Sequence, residues 1–117
     1  MTDPTDLATD YAGALVETIR TALAALDEGH ELEGIPADEY LDEWPLEVVR
    51  QVGRRFEVVF TVGGPDARLV CDLDEDGERW GPAALEVTWG TSRARREGVE
   101  IDRLADWYVE VTAWVTA

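Results

Sequence analysis

The sharpest candidate for chemistry in this sequence is Asp72-x-Asp74-x-Asp76-Gly77. Carboxylates at alternate positions, followed by a glycine that permits a tight bend, match the first six positions of a calcium loop. The match stops there. The twelfth position, which should offer a bidentate glutamate, is Ala83, and the flanking segments alternate like strands instead of repeating like helices. A different geometry would have to draw on Glu75, Glu78 or backbone carbonyls. Asp-Gly is also a common hairpin ending, so a plain turn is the expectation, with no metal and no cofactor.

Other catalytic sets lack members. His30, Ser92 and Cys71 are each the sole residue of their type, which leaves neither a Ser-His-Asp triad with a choice of partners nor a Cys/His zinc site. A single cysteine also excludes an internal disulfide. His30 follows a helical segment, where interaction with the helix dipole is its expected role. Gly63-Gly64-Pro65 joins two strand-like segments and opens no helix, so it is not a phosphate loop. Carboxylate pairs abound, but no apolar pocket that would shift a pKa is visible among them. An enzyme is not expected.

The elements that would position these residues follow from the apolar period. Asp3-Pro4 reads as an N-cap with proline at the first helical position. Leu7, Tyr11, Leu15, Ile19, Leu23 and Leu26 then recur at helical spacing up to Gly29. On that helix Asp3, Asp6, Asp10, Glu17 and Glu28 fall in an arc of roughly 60° opposite the apolar stripe. A short helix is expected from about Ala37, ended by Pro45 after Trp44. The period then changes to two, over Phe56–Val62, Ala67–Leu73 and Leu85–Trp89, with turns at Gly63-Gly64-Pro65-Asp66 and Asp76-Gly77. Leu46–Arg50 is the expected fourth strand, and 91–97 is a candidate arginine-rich edge. Helical spacing returns in Ile101, Leu104, Ala105, Tyr108, Val111 and Val115. The fold expected over 1–117 is one α+β domain: an N-terminal helix, a short acidic helix or loop, a four-stranded antiparallel meander and a C-terminal helix, with both long helices on one face.

The charge is lopsided. The chain has 26 acids against ten bases, all arginine, and contains neither lysine nor asparagine. Thirteen acids and only Arg20 fall in residues 1–48, a net of −12, whereas residues 49–117 carry a net of −4. Such a chain repels nucleic acid and anionic membranes and attracts basic proteins. With 45% apolar residues it still has the means to form a core. No basic start followed by an apolar run is found, and no apolar stretch approaches membrane-spanning length, so a cytoplasmic protein is expected.

Five tryptophans remain to be placed. Trp89, Trp107 and Trp114 belong with the core pattern, while Trp44 and Trp80 lie beside prolines among charges and are candidate interface anchors. Arg54, Arg55, Arg93, Arg95 and Arg96 are expected to pair internally. Val49, Val59 and Val70 would share the outer face of the sheet, where an apolar strip would suit a homodimer.

An acidic helix and loop over residues 3–47, the Val62-Gly63-Gly64-Pro65 and Asp74-Glu75-Asp76-Gly77 turns, and the length together resemble small acidic proteins of phages and mobile elements, the DNA-mimic and anti-CRISPR inhibitors. The resemblance is one of class and transfers no residue. It implies occupancy of a basic nucleic-acid groove. Duplex DNA presents one charge per about 1.7 Å, and the first helix would run about 37 Å, with the acids of 30–47 filling its gaps. The leading expectation is therefore a non-enzymatic inhibitor that binds a basic, nucleic-acid-binding partner. Its contact would comprise Asp6, Asp10, Glu17, Asp38, Glu39, Asp42 and Glu43, with Trp44 as the apolar anchor. The alternatives are a small accessory domain whose acidity is adaptation to a salty cytoplasm, and an immunity protein against a basic toxin.

Overall fold

The computed structural model describes residues 4–50 and 54–116, with side chains over 7–49 and 54–112. Helix α1 runs Pro4–Glu28, so proline does occupy the first helical position; Asp3, its expected cap, lies outside the described residues. Gly29 ends α1 with φ 71°, and the His30 N–H reaches back to the Ala25 carbonyl at 2.9 Å. That six-to-one bond over a left-handed residue is why glycine stands there.

Two residues per strand make the next hairpin, β1 (Glu31–Leu32) and β2 (Ile35–Pro36), turned by Glu33 at φ 51° and Gly34 at φ 83°. No period exists over two residues, so nothing in the alternation announced it. Helix α2 follows at Ala37–Glu43 and ends at Trp44, ahead of Pro45.

The sheet is a five-stranded antiparallel meander, β3 (Glu47–Arg50), β4 (Arg55–Thr61), β5 (Asp66–Leu73), β6 (Arg79–Trp89) and β7 (Ser92–Arg96), in sequence order. This corrects the four-stranded expectation. The arginine-rich segment after Trp89 is a full edge strand, its five residues each paired to β6 from Trp89↔Ser92 to Leu85↔Arg96. Helix α3 spans Val99–Thr116.

Alternation sends Phe56, Val58, Leu69, Cys71, Leu85 and Val87 to one face, where they join Ala12, Val16 and Ile19 of α1 and Ile101, Leu104 and Tyr108 of α3 in a single core. Both long helices therefore cover the same face. Ser92 is buried beneath α1 and accepts a 3.1 Å hydrogen bond from the Ala8 N–H, tying the edge strand to the helix. No helix among the described residues is long and apolar enough to cross a membrane.

Candidate functional site

The acids expected to bind a partner sit on α1 and α2. On α2, Ala37 and Leu41 are buried one turn apart, which leaves Asp38, Glu39, Asp42 and Glu43 exposed. Asp38 and Glu39 favour the helix dipole from the first turn, whereas Asp42 and Glu43 oppose it from the last. Asp38 with Asp42, and Glu39 with Glu43, are also like-charge pairs four residues apart. The N-cap is Pro36, with no side-chain capping bond. Seven residues so arranged do not hold a helix alone.

Tertiary contacts do. Leu41 is fully buried in the core, and its carbonyl accepts a 2.7 Å hydrogen bond from the Tyr108 hydroxyl of α3. Burial pushes that phenol well above its usual range, with the nearby Asp42 carboxylate acting in the same direction. At the helix end, the Trp44 ring packs on Phe60 with centroids 4.6 Å apart and on Tyr40 at 6.0 Å. Trp44 is thus half-buried against the core, so its ring clamps α2 to the sheet as well as facing outward.

On α1, Asp10 is exposed and pairs with no base among the described residues. Glu17, on the same helix face, is held by Arg20 at 2.7 Å, and Arg20 also reaches Glu100 of α3 at 3.1 Å. Asp6 lies on the first turns of α1, and its side chain is outside the described residues. An open depression of about 360 Å³ joins the two helices, lined by Glu17, Thr18 and Thr21 of α1, Leu32 and Glu33 of the hairpin, and Tyr40 of α2.

Elsewhere several arginines are engaged. On the face of the sheet opposite the helices, Arg55 and Arg68 lie 3.3 Å from Glu57, Arg68 lies 3.1 Å from Asp66, and Arg95 lies 2.6 Å from Glu86. Val59 and Val70 share this face yet are 6% and 3% exposed. At these two positions the open apolar strip expected on this face is therefore not presented. Arg79 binds Asp106 at 2.8 Å, and Arg103 binds Asp27 across the α1–α3 seam. Arg103 holds the Asp27 carboxyl below its ordinary value. Arg54, Arg93 and Arg96 make no ion pair among the described residues, contrary to the expectation of internal pairing.

Within the Asp72–Gly77 segment, Asp72 and Leu73 end β5 and residues 74–77 turn the chain. Asp74 Oδ1 accepts from the N–H groups of Asp76 (2.9 Å) and Glu78 (3.0 Å), so one oxygen of the central carboxylate in the calcium-like pattern closes the turn. Among the described residues no cluster of three or more His, Cys, Asp or Glu is placed to hold a metal ion. Cys71 is buried and its thiol is pushed up to about 11 by desolvation. His30 is exposed, with Nδ1 3.2 Å from Glu28.

Trp80, beside Pro82, is the one tryptophan left open among the described side chains: it is 59% exposed, with the Arg54 guanidinium 5.8 Å from its ring centroid. No family model matches the chain, and no curated protein or solved structure matches it.

Proposed function

We propose that this chain is a non-enzymatic, cytoplasmic inhibitor that presents carboxylates of α1, the β1–β2 hairpin and α2 to a basic, nucleic-acid-binding partner, in the manner of a DNA mimic or anti-CRISPR protein. One observation carries the reading. The seven acids from Glu31 to Glu47 make no ion pair among the described residues, while arginines neutralise acids on the outer sheet face and along the α1–α3 seam. Helix α2 keeps two like-charge pairs and an unfavourable last turn at a cost in stability, as a binding surface does and a packing element need not.

A second reading has its own support. Asp72, Glu75, Asp76 and Glu78 at or beside the β5–β6 turn also make no ion pair among the described residues, and neither does Glu110 of α3. Acids spread over several surfaces suit a protein kept soluble in a salty cytoplasm. An immunity protein against a basic toxin shares the physics of the first reading and differs in the partner.

Affinity capture from the native host separates these. The inhibitor reading expects basic, nucleic-acid-binding partners that DNA displaces. Charge reversal at Asp38, Glu39, Asp42 and Glu43 should slow association and flatten its salt dependence while leaving the fold intact. Capture of a basic toxin points to immunity. Neutral partners, or binding indifferent to all four reversals, leave the salty-cytoplasm reading standing. Because the Trp44 ring also packs on Phe60, Trp44→Ala changes stability and contact together and is the weaker probe.

A further inference from the structure

We propose that Trp80 and the β5–β6 turn form a second contact surface, one that accepts an arginine side chain from a basic protein segment. It uses none of the α1 or α2 residues and lies on the other face of the sheet. Trp80 is opposite Asp72, which is opposite Arg55, in one row across β6, β5 and β4. That row belongs to the face the helices leave uncovered.

The exposed ring already holds a cation. The Arg54 guanidinium sits 5.8 Å from its centroid, within the range where a ring's negative face attracts positive charge. Two open depressions, of about 350 and 160 Å³, are each lined by both Arg54 and Trp80. Asp74, Glu75 and Asp76 complete the first, and Asp72 and Leu73 the second. Among the described residues Arg54 is the only cation lining either one. The flanking arginines are committed elsewhere, Arg79 to Asp102 and Asp106, and Arg55 to Glu57 and Glu86.

Arg54 makes no ion pair among the described residues, so the ring is its partner, and its position marks where an incoming guanidinium would stack. Charge complementarity selects a cationic occupant. A planar guanidinium can stack and donate to carboxylates at once, whereas an ammonium offers only a point charge, so arginine is favoured over lysine. Arg54 is a resident competitor on this surface.

The test uses a labelled hexa-arginine peptide at low salt, with hexa-lysine as the comparison. Arg54→Ala and Arg93→Ala each remove one unpaired arginine and change the net charge equally, but only the first frees Trp80. Arg54→Ala should tighten hexa-arginine binding by about three- to five-fold, and Arg93→Ala by less than about two-fold, given the strength of an exposed cation–π contact. Adding Trp80→Ala to Arg54→Ala should erase the difference, Trp80→Phe should restore part of it, and hexa-lysine should gain less than hexa-arginine. Charge reversal on α2 should leave the Arg54→Ala gain in place, which separates this surface from the α2 contact. Equal effects of Arg54→Ala and Arg93→Ala, or a gain that survives Trp80→Ala, would overturn the proposal. Both Trp80 and Arg54 are exposed, so the variants should fold, as circular dichroism can verify.

Discussion

The Tyr108 hydroxyl donates to the Leu41 carbonyl at 2.7 Å across a separation of 67 positions in the chain, and this bond joins α3 to the short acidic helix. The surface that gathers the unpaired carboxylates of α2 is therefore held by a buried phenol that no partner would touch.

Tyr108→Phe removes the donor and leaves the Leu41 carbonyl buried without it. A loss of about 1–3 kcal/mol is expected, measured as a lower urea midpoint. Hydrogen exchange should rise in α2 more than in the centre of the sheet. Uniform exchange across both would contradict the anchoring role.

Burial raises both the Cys71 thiol, to about 11 from an ordinary 9.0, and the Tyr108 phenol above its ordinary 10.0. Folded values above unfolded ones mean that the Cys71 contribution is fully present below pH 9 and is lost as pH climbs through 11, whereas the Tyr108 contribution starts to fall only above pH 10. The loss approaches about 1.4 kcal/mol per pH unit for each group while only the unfolded state is ionised. Urea midpoints measured from pH 8 to 11 should fall, and Cys71→Ala should make the fall shallower. At pH 8 the native thiol should resist alkylation and become reactive only in denaturant.

Salt should stabilise the fold. A net charge of −16 with unpaired acids on α2 and the β5–β6 turn repels itself, and the screening length falls from about 30 Å at 0.01 M to about 3 Å at 1 M. The ion pairs of the outer sheet face weaken over the same range, but they are fewer than the unpaired carboxylates. A melting temperature that stays level or drops with added sodium chloride would show that the pairs win.

Removing two arginines from the outer face should change the oligomeric state. Arg55→Ala with Arg68→Ala strips both partners from Glu57, on the face that also holds Val59 and Val70. We expect a loss of about 1–3 kcal/mol, between exposed and buried ion-pair values. Sedimentation should detect self-association of the variant at concentrations where the parent does not self-associate.

The sequence by itself determined the two long helices, the alternating strands and the imbalance of charge. Helical and strand periods are properties of neighbours a few residues apart, so Leu15, Ile19 and Leu23, or Phe56 and Val58, declare their faces without help from the rest of the chain. The identity of the exposed α2 acids was legible for the same reason, since Ala37 and Leu41 mark the opposite side. Tertiary structure alone decided the rest. The β1–β2 hairpin is too short to carry a period, and β7 is a strand of serine, alanine and arginines that owes its form to pairing with β6. Trp44 turned inward because Phe60, sixteen residues on, offers a ring to pack against. Which carboxylates are neutralised was also undecided along the chain. Arg20 meets Glu100 and Arg103 meets Asp27 across 80 and 76 residues, and Arg54 meets Trp80 across a sheet, because an ion pair or a stacked ring depends on distance in space, which only the folded chain sets.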